Sequence, residues 1–177
     1  MTKYGRTPCF GYCVRATASD PTRPLRLAAL AETLGLDYIG VQKEEPGAEH
    51  HDSWTLLTAI GAATSRIALI AKGQDLLLNT PPMVAKVAAS LDLLTNGRVE
   101  IALTTDYFMD TLSAADSVSV GDKDSDEKAL AVLEEAISLM RFVWSGGQPD
   151  AFTGKFFSLT EDDCTLIPAR RINIWLD

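Results

Sequence analysis

The chain has few cysteines, fewer histidines and no excess of positive charge. Cys9, Cys13 and Cys164 are odd in number and form no C-x-x-C pair. A structural zinc site is therefore not expected, nor any other metal. Free thiols are usually buried, so these three are expected to be buried and reduced. His50 and His51 are the only histidines, and they are adjacent. Sixteen Lys and Arg against 24 Asp and Glu leave a formal charge of −8. That argues against nucleic acid or an anionic membrane as partner, because both need basic patches. No apolar run approaches the ~18–20 residues of a membrane span. The N-terminal stretch MTKYGRTPCFGYCV lacks the pattern of a secretory signal, so a cytoplasmic location is expected. There is no phosphate-binding P-loop and no dinucleotide glycine fingerprint after the first strand. No Ser-His-Asp or Cys-His arrangement has supporting context.

What the sequence does have is regular βα alternation, clearest from Asp52 to Leu103. DSWTLLTAIGAATS reads as a helix and RIALIA as a strand; PPMVAKVAASLDLLTNG is the next helix and RVEIAL the next strand. Thr80 is a candidate N-cap, and Pro81 suits a first helical turn, where a missing N–H costs nothing. Val84, Val87, Ala88, Leu91 and Leu94 recur at helical spacing, and Asn96-Gly97 stops the helix. Alternation of this length means parallel βαβ units.

The rest of the chain fits the same scheme, as one domain over residues 1–177. Residues 8–14 are expected as the first strand. Thr22 or Asp20 would cap a helix near Pro24, with Leu27, Leu30, Ala31 and Leu34 on its buried face and Gly35 at its end. Tyr38–Gln42 is the second strand, followed by a charged loop over 43–51. Residues 105–126 are rich in Asp, Ser and Gly, have no sustained periodicity, and read as a long polar loop. Residues 109–125 of it are expected to be the least ordered internal segment. A helix follows, with Ala129, Leu133, Ala136, Ile137, Met140 and Trp144 on one face. Within an excursion over 148–170, AFTGKFFSLT reads as a hairpin turning at Thr153-Gly154. INIWLD is a final strand.

Five segments in this order and spacing resemble the luciferase-like flavin- or deazaflavin-dependent oxidoreductases: LAETLGLDYIGVQ (30–42), DSWTLLTAIGAATSRIAL (52–69), PPMVAKVAASLDLLTNGRVEIAL (81–103), ALAVLEEAISLMRFVWSG (129–146) and INIWL (172–176). The resemblance implies a TIM-type (β/α) barrel that binds FMN or a deazaflavin at the C-terminal ends of its strands. At 177 residues the chain is short of the ~250 typical of such a barrel. The expected fold is α/β: a partial barrel of about five parallel strands with helices outside, completed by oligomerisation.

In a parallel barrel the working residues follow each strand. That rule selects Tyr12 and Cys13; Gln42, Lys43 and Glu44; Lys72, Gly73, Gln74 and Asp75; and Thr104, Thr105, Asp106 and Tyr107. Lys43, Glu44 and His51 are the candidate catalytic residues. Lys72, Gly73, Gln74, Asp75, Asn79, Thr104, Thr105 and Tyr107 are the candidate cofactor-binding residues. A histidine could exchange a proton or hydrogen-bond a reduced flavin, and Lys43 could donate to an anionic one. Gly73 can adopt the unusual backbone angles of a bulge beneath a flat ring.

The chain departs from the family's pattern at several of these positions. Lys43-Glu44 stands where the family often has an Asp-His or Asp-Pro turn. Gly73 is one residue from its common glycine. Asp75 and Asn79 replace residues that are often Asn and Arg. Thr104, Thr105 and Asp106 replace a Gly-Ala-Gly type turn. Two readings therefore stand side by side. One is a luciferase-like oxidoreductase or monooxygenase acting on a small organic substrate. The other is a non-catalytic half-barrel that binds a protein or small ligand.

An open sheet leaves two unpaired edges. With both strand faces apolar, Ile67, Leu69, Ile101, Leu103, Phe10 and Ile174 are expected to include residues of a wet inner face. A homodimer or a companion chain is expected to cover that face and complete the barrel.

Overall fold

The computed structural model describes residues 8–42, 49–73, 79–104, 123–146, 151–159 and 166–176. The order along the chain is β1 (Gly11–Arg15), α1 (Arg23–Thr33), β2 (Tyr38–Gln42), α2 (Ser53–Ala63), β3 (Ala68–Lys72), α3 (Pro81–Leu94), β4 (Val99–Leu103), α4 (Lys123–Trp144), β5 (Phe152–Thr153), β6 (Ser158–Leu159) and β7 (Ile174–Leu176). Five strands form one sheet in the order β1-β2-β3-β4-β7, every pair parallel. β5 and β6 form a separate antiparallel hairpin. This is the expected half of an eight-stranded (β/α) barrel.

Register assigns the two faces of the sheet. Val14, Val41, Ala71, Ile101 and Ile174 share one row, and Ile39, Leu69 and Val99 a second row on the same face. Side chains alternate along a strand, so these rows meet the helices. All of them except the partly buried Ile174 are at most 1% exposed, and Leu103 is fully buried with them. The other face carries Cys13, Gly40, Ile70 and Glu100 in one row and Arg15, Gln42, Lys72, Ala102 and Trp175 in the next.

The expectation of a wet, apolar inner face is thereby corrected. Ile67, Leu69, Ile101 and Leu103 lie in the core with the helices, as does the row of Ile174. Apart from Ile70 and Trp175, the alternate set that faces inward is small or polar. Of the six named residues only Phe10 is exposed, at 66%.

The inner face also carries a cluster of its own. Glu100, with its side chain 5% exposed, accepts hydrogen bonds from Asn173 Nδ2 at 2.9 Å, Trp175 Nε1 at 2.5 Å and Arg170 Nη2 at 3.3 Å. The Tyr38 ring meets the Trp175 ring edge-on with centroids 6.0 Å apart. Burial, and next the Glu100 carboxylate, push the Tyr38 hydroxyl above its ordinary pKa, because both oppose a phenolate. The cluster ties β7 to β4 and covers part of the inner face from within the chain.

Polar clamps hold the opposite, N-terminal ends of the strands. The fully buried Asp92 accepts from the amides of Val99 (3.1 Å) and Arg170 (3.3 Å). Arg98 donates to Thr95 O, Ile67 O, Gly61 O, Thr64 O and Thr64 Oγ1. Glu32 accepts the amides of Ser65, Arg66 and Ile67. Asn96 (φ 55°) and Gly97 (φ 81°) turn the chain out of α3 in left-handed geometry. The hairpin is fixed in the same way, with Glu135 of α4 accepting the amides of Lys155, Phe156 and Phe157.

Several local expectations change. Leu30 and Leu34 of α1 are exposed at 52% and 70%, and the buried stripe is Pro24, Ala28 and Ala31. Leu94 is likewise exposed. Thr22 and Thr80 occupy N-cap positions without a side-chain bond to a helix backbone amide, whereas the Asp20 carboxylate accepts the Arg23 amide. Cys9 and Cys13 are exposed rather than buried, because β1 is the sheet edge and Cys13 lies on the inner face. Cys164 lies outside the described residues. α4 begins at Lys123, so residues 123–126 of the expected 105–126 loop are helical. The remainder, 105–122, lies outside the described residues, and with it most of the 109–125 segment.

Candidate active site at the mouth of the sheet

The C-terminal ends of β1–β4 and β7 define one mouth. Residues 49–51 lie against the segment just past β1: the His51 amide donates to Ala16 O at 2.7 Å, Ala18 N to Glu49 O at 3.0 Å, and Thr17 pairs with His50. Both histidines therefore sit against the segment just past β1. Asp52 then starts α2, its carboxylate accepting from the Thr55 amide and hydroxyl, each at 2.8 Å. That N-cap fixes the first helical turn and with it Trp54, which is 7% exposed.

Two ring nitrogens here have no partner among the described residues. His51 Nε2 and Trp54 Nε1 are both buried and both lack a hydrogen bond. A buried polar atom left in this state costs about 1–3 kcal/mol. Three residues apart at the start of one helix, they are the unsatisfied positions of this mouth.

Across the mouth, β3 and β4 end together. Lys72 pairs with Ala102, and the Gly73 amide donates to Ala102 O at 3.1 Å. Gly73 is buried and has φ +65°, a conformation that side chains resist. Thr104 is buried, at 7% exposure, directly after β4. Asn79 lies exposed at the entry to α3. The fold thus groups Lys72, Gly73 and Thr104 beneath the β3–β4 end and holds His51 over the β1 end. Lys43, Glu44, Gln74, Asp75, Thr105, Asp106 and Tyr107 lie outside the described residues. Trp54 went unselected in the sequence because it is helical rather than directly after a strand. The signal that pointed to it was its place in the first turn after the only two histidines.

A parallel βα sheet with its open polar groups at the C-terminal strand ends has the architecture of the (β/α)-barrel enzymes. The family model described as luciferase-like monooxygenase matches residues 9–176. The chain belongs to that family. Over 117 residues it is 32% identical to a pyrimidine monooxygenase RutA of Escherichia coli, covering 66% of this chain and 31% of that protein. Among solved structures, it superposes on an F420-dependent secondary alcohol dehydrogenase in complex with an F420-acetone adduct (TM-score 0.77, 20% identity). The superposition covers 97% of this chain and 52% of the other. The coenzyme F420 dependent tetrahydromethanopterin reductase from Methanopyrus kandleri gives 0.75 at 18% identity, with 97% and 50% covered. The monooxygenase RslO1 from Streptomyces bottropensis gives 0.70 at 21%, with 96% and 53% covered. The chain thus spans about a third of the curated relative and about half of each solved chain. Among the described residues no helix is long and apolar enough to cross a membrane.

Proposed function

We propose that this chain carries the first half of the cofactor site of a flavin- or deazaflavin-dependent oxidoreductase or monooxygenase that acts on a small organic substrate. The observation that carries the reading is the pair of buried, unpartnered nitrogens, His51 Nε2 and Trp54 Nε1, at the strand end where barrel enzymes place their chemistry. Family membership and the ligands named for the superposed proteins, F420 among them, support the same reading.

The residues at the mouth fit a flat, polar-edged ring. Gly73 offers backbone without a side chain where the ring would lie, and Thr104 and Lys72 stand beside it. A bound flavin or deazaflavin would supply hydride or oxygen chemistry, and the protein would supply orientation and electrostatics. Trp54 Nε1–H can only donate, so it would bind an oxygen of the cofactor or substrate. His51 Nε2 can accept a proton or donate one, which suits it to stabilise charge that develops on that oxygen. Lys43, Glu44, Gln74, Asp75, Asn79, Thr105 and Tyr107 are proposed as further residues of the same mouth.

Three further parallel strands, from outside these 177 residues, would bring the sheet to the eight of a closed barrel. A second copy or a companion polypeptide is our proposed partner for the open sheet. Support comes from the free sides of β1 and β7 in the described sheet, and from Phe10, Tyr12, Trp175 and Leu176, each 46% exposed or more.

The test is titration of the purified protein, with its co-purifying partner, with FMN and with a deazaflavin, read by visible absorption and flavin fluorescence. Saturable binding of one of them is expected. W54F should weaken it about tenfold, the value of one hydrogen bond to a buried donor. Absorption and fluorescence unchanged from those of the free cofactor, with both cofactors, would overturn the reading and favour a non-catalytic module.

A further inference from the structure

A second cavity lies at the opposite end of the sheet from the mouth. Arg141, Trp144 and Ser145 from the end of α4, and Ile167, Pro168, Arg170, Arg171 and Ile172 from the approach to β7, enclose about 420 Å³. That is within the range of small-molecule sites, which pair apolar walls with a few convergent polar groups.

Its walls and its charge are of different kinds. Trp144 and Ile172 are buried, and the Trp144 indole is held by a 2.9 Å bond from Nε1 to Ala85 O. Ile167 is 60% exposed. Of the three guanidinium groups, Arg170 is committed: it donates to Gly97 O, Val99 O, Arg171 O and Glu100. Among the described residues, Arg141 and Arg171 are exposed without an anionic partner, and no acidic residue lines the cavity. In a chain of net charge −8, two such arginines beside an apolar wall select one kind of occupant. A planar fork favours carboxylate or phosphate oxygens, and the wall favours an aromatic or branched body.

We propose that this cavity binds a small organic oxyanion, a carboxylate or phosphate carried on an apolar body, at a site separate from the mouth. The head group would lie between Arg141 and Arg171, and the body against Trp144 and Ile167.

Trp144 makes the proposal testable without any cofactor, so it stands or falls separately from the reading of the mouth. The protein would be titrated with phenyl phosphate, benzoate, benzyl alcohol and inorganic phosphate, following tryptophan fluorescence and calorimetric heat. Expected are saturable binding of phenyl phosphate or benzoate and weaker binding of benzyl alcohol and inorganic phosphate, which lack head and body respectively. R141Q and R171Q should each weaken the tight probe about tenfold with unchanged circular dichroism, and W144F should remove the fluorescence change but not the heat. The proposal is overturned if no probe saturates, as it would if the chain's own acidic run at 161–163 filled the cavity. Equal affinity of wild type and both arginine variants would also overturn it, as would inorganic phosphate matching phenyl phosphate.

Discussion

Replacing Arg98 tests how the sheet is held to its helices. The guanidinium donates five bonds: Nε to Thr95 O at 3.0 Å, Nη1 to Thr64 Oγ1 at 3.0 Å and Ile67 O at 3.1 Å, and Nη2 to Gly61 O at 2.7 Å and Thr64 O at 3.1 Å. Gly61 and Thr64 belong to the last turn and C-cap of α2, Thr95 is the C-cap of α3, and Ile67 leads into β3. One side chain therefore joins two helix ends, whose dipoles favour a cation, to two strand starts. Among the described residues no carboxylate bonds to it. Burial pushes its pKa below the usual arginine value, and the charge of Glu32 acts in the opposite sense.

Arg98→Met keeps the aliphatic stem and removes all five bonds. A hydrogen bond to a charged group contributes about 1.5–3 kcal/mol, so the gross sum would exceed about 7 kcal/mol. Two effects reduce it: removing a half-buried cation recovers its desolvation, and water can reach some of the freed carbonyls. A net loss of about 2–4 kcal/mol is expected, a large share of the ~5–15 kcal/mol stability of a domain. Arg98→Lys keeps the charge but not the fork and should lose about 1–2 kcal/mol. Urea unfolding followed by far-UV circular dichroism measures both, with an unchanged slope. A loss under about 0.5 kcal/mol for R98M, or an R98K protein indistinguishable from wild type, would refute the reasoning.

Glu32 and Glu135 should make stability depend on acid. Burial alone would raise either carboxyl pKa, but three backbone amides bonded to each lower it on balance. A depressed folded pKa gives stability that is full above the ordinary glutamate value of about 4.3 and is lost as pH falls through the folded value. The E32Q and E135Q proteins should therefore have lower urea midpoints at pH 7 and shallower losses below about pH 4.3 than wild type. W54F removes an unpartnered donor and should change stability by less than about 1 kcal/mol in thermal melts while cofactor binding falls. Gly73→Ala forces a Cβ into φ +65° and should cost about 1–2 kcal/mol by urea titration, with cofactor affinity reduced as the turn shifts.

The element order could be read from the sequence because each boundary has a local cause. Asp52 before an apolar helix, Pro81 at a first turn, Asn96-Gly97 and Gly35 at helix ends, and Thr153-Gly154 in a hairpin all act within a few residues. Which face of β3 turns inward had no such cause. RIALIA is apolar in both alternations, so composition could not separate Leu69 from Ile70; the cue lay in RVEIAL, where Arg98 and Glu100 alternate with Val99, Ile101 and Leu103, and register with Val41 and Ile101 carries it to β3. The α1 stripe failed for a similar reason. Leucine spacing favoured Leu30 and Leu34, but close approach to neighbouring elements selected the smaller Ala28 and Ala31. The clamps of Arg98, Glu32, Glu100 and Glu135 join residues 20 to 75 positions apart, a range at which sequence spacing carries no information.

The two ends of the strands differ in how fully their polar groups are satisfied. At the N-terminal end, Asp92, Arg98, Arg170 and Glu32 each have several partners. At the mouth, His51 and Trp54 keep buried nitrogens without a partner among the described residues. Folding alone favours the first arrangement and penalises the second. Among the described residues nothing offsets that penalty, and a bound cofactor or substrate would, which is why the site is assigned to that end. The arginine cavity follows the same logic at the other end. Arg170 is committed to the chain's own carbonyls and Glu100, whereas Arg141 and Arg171 beside it are exposed and open to a ligand, and that difference, rather than the size of the cavity, marks it as a site.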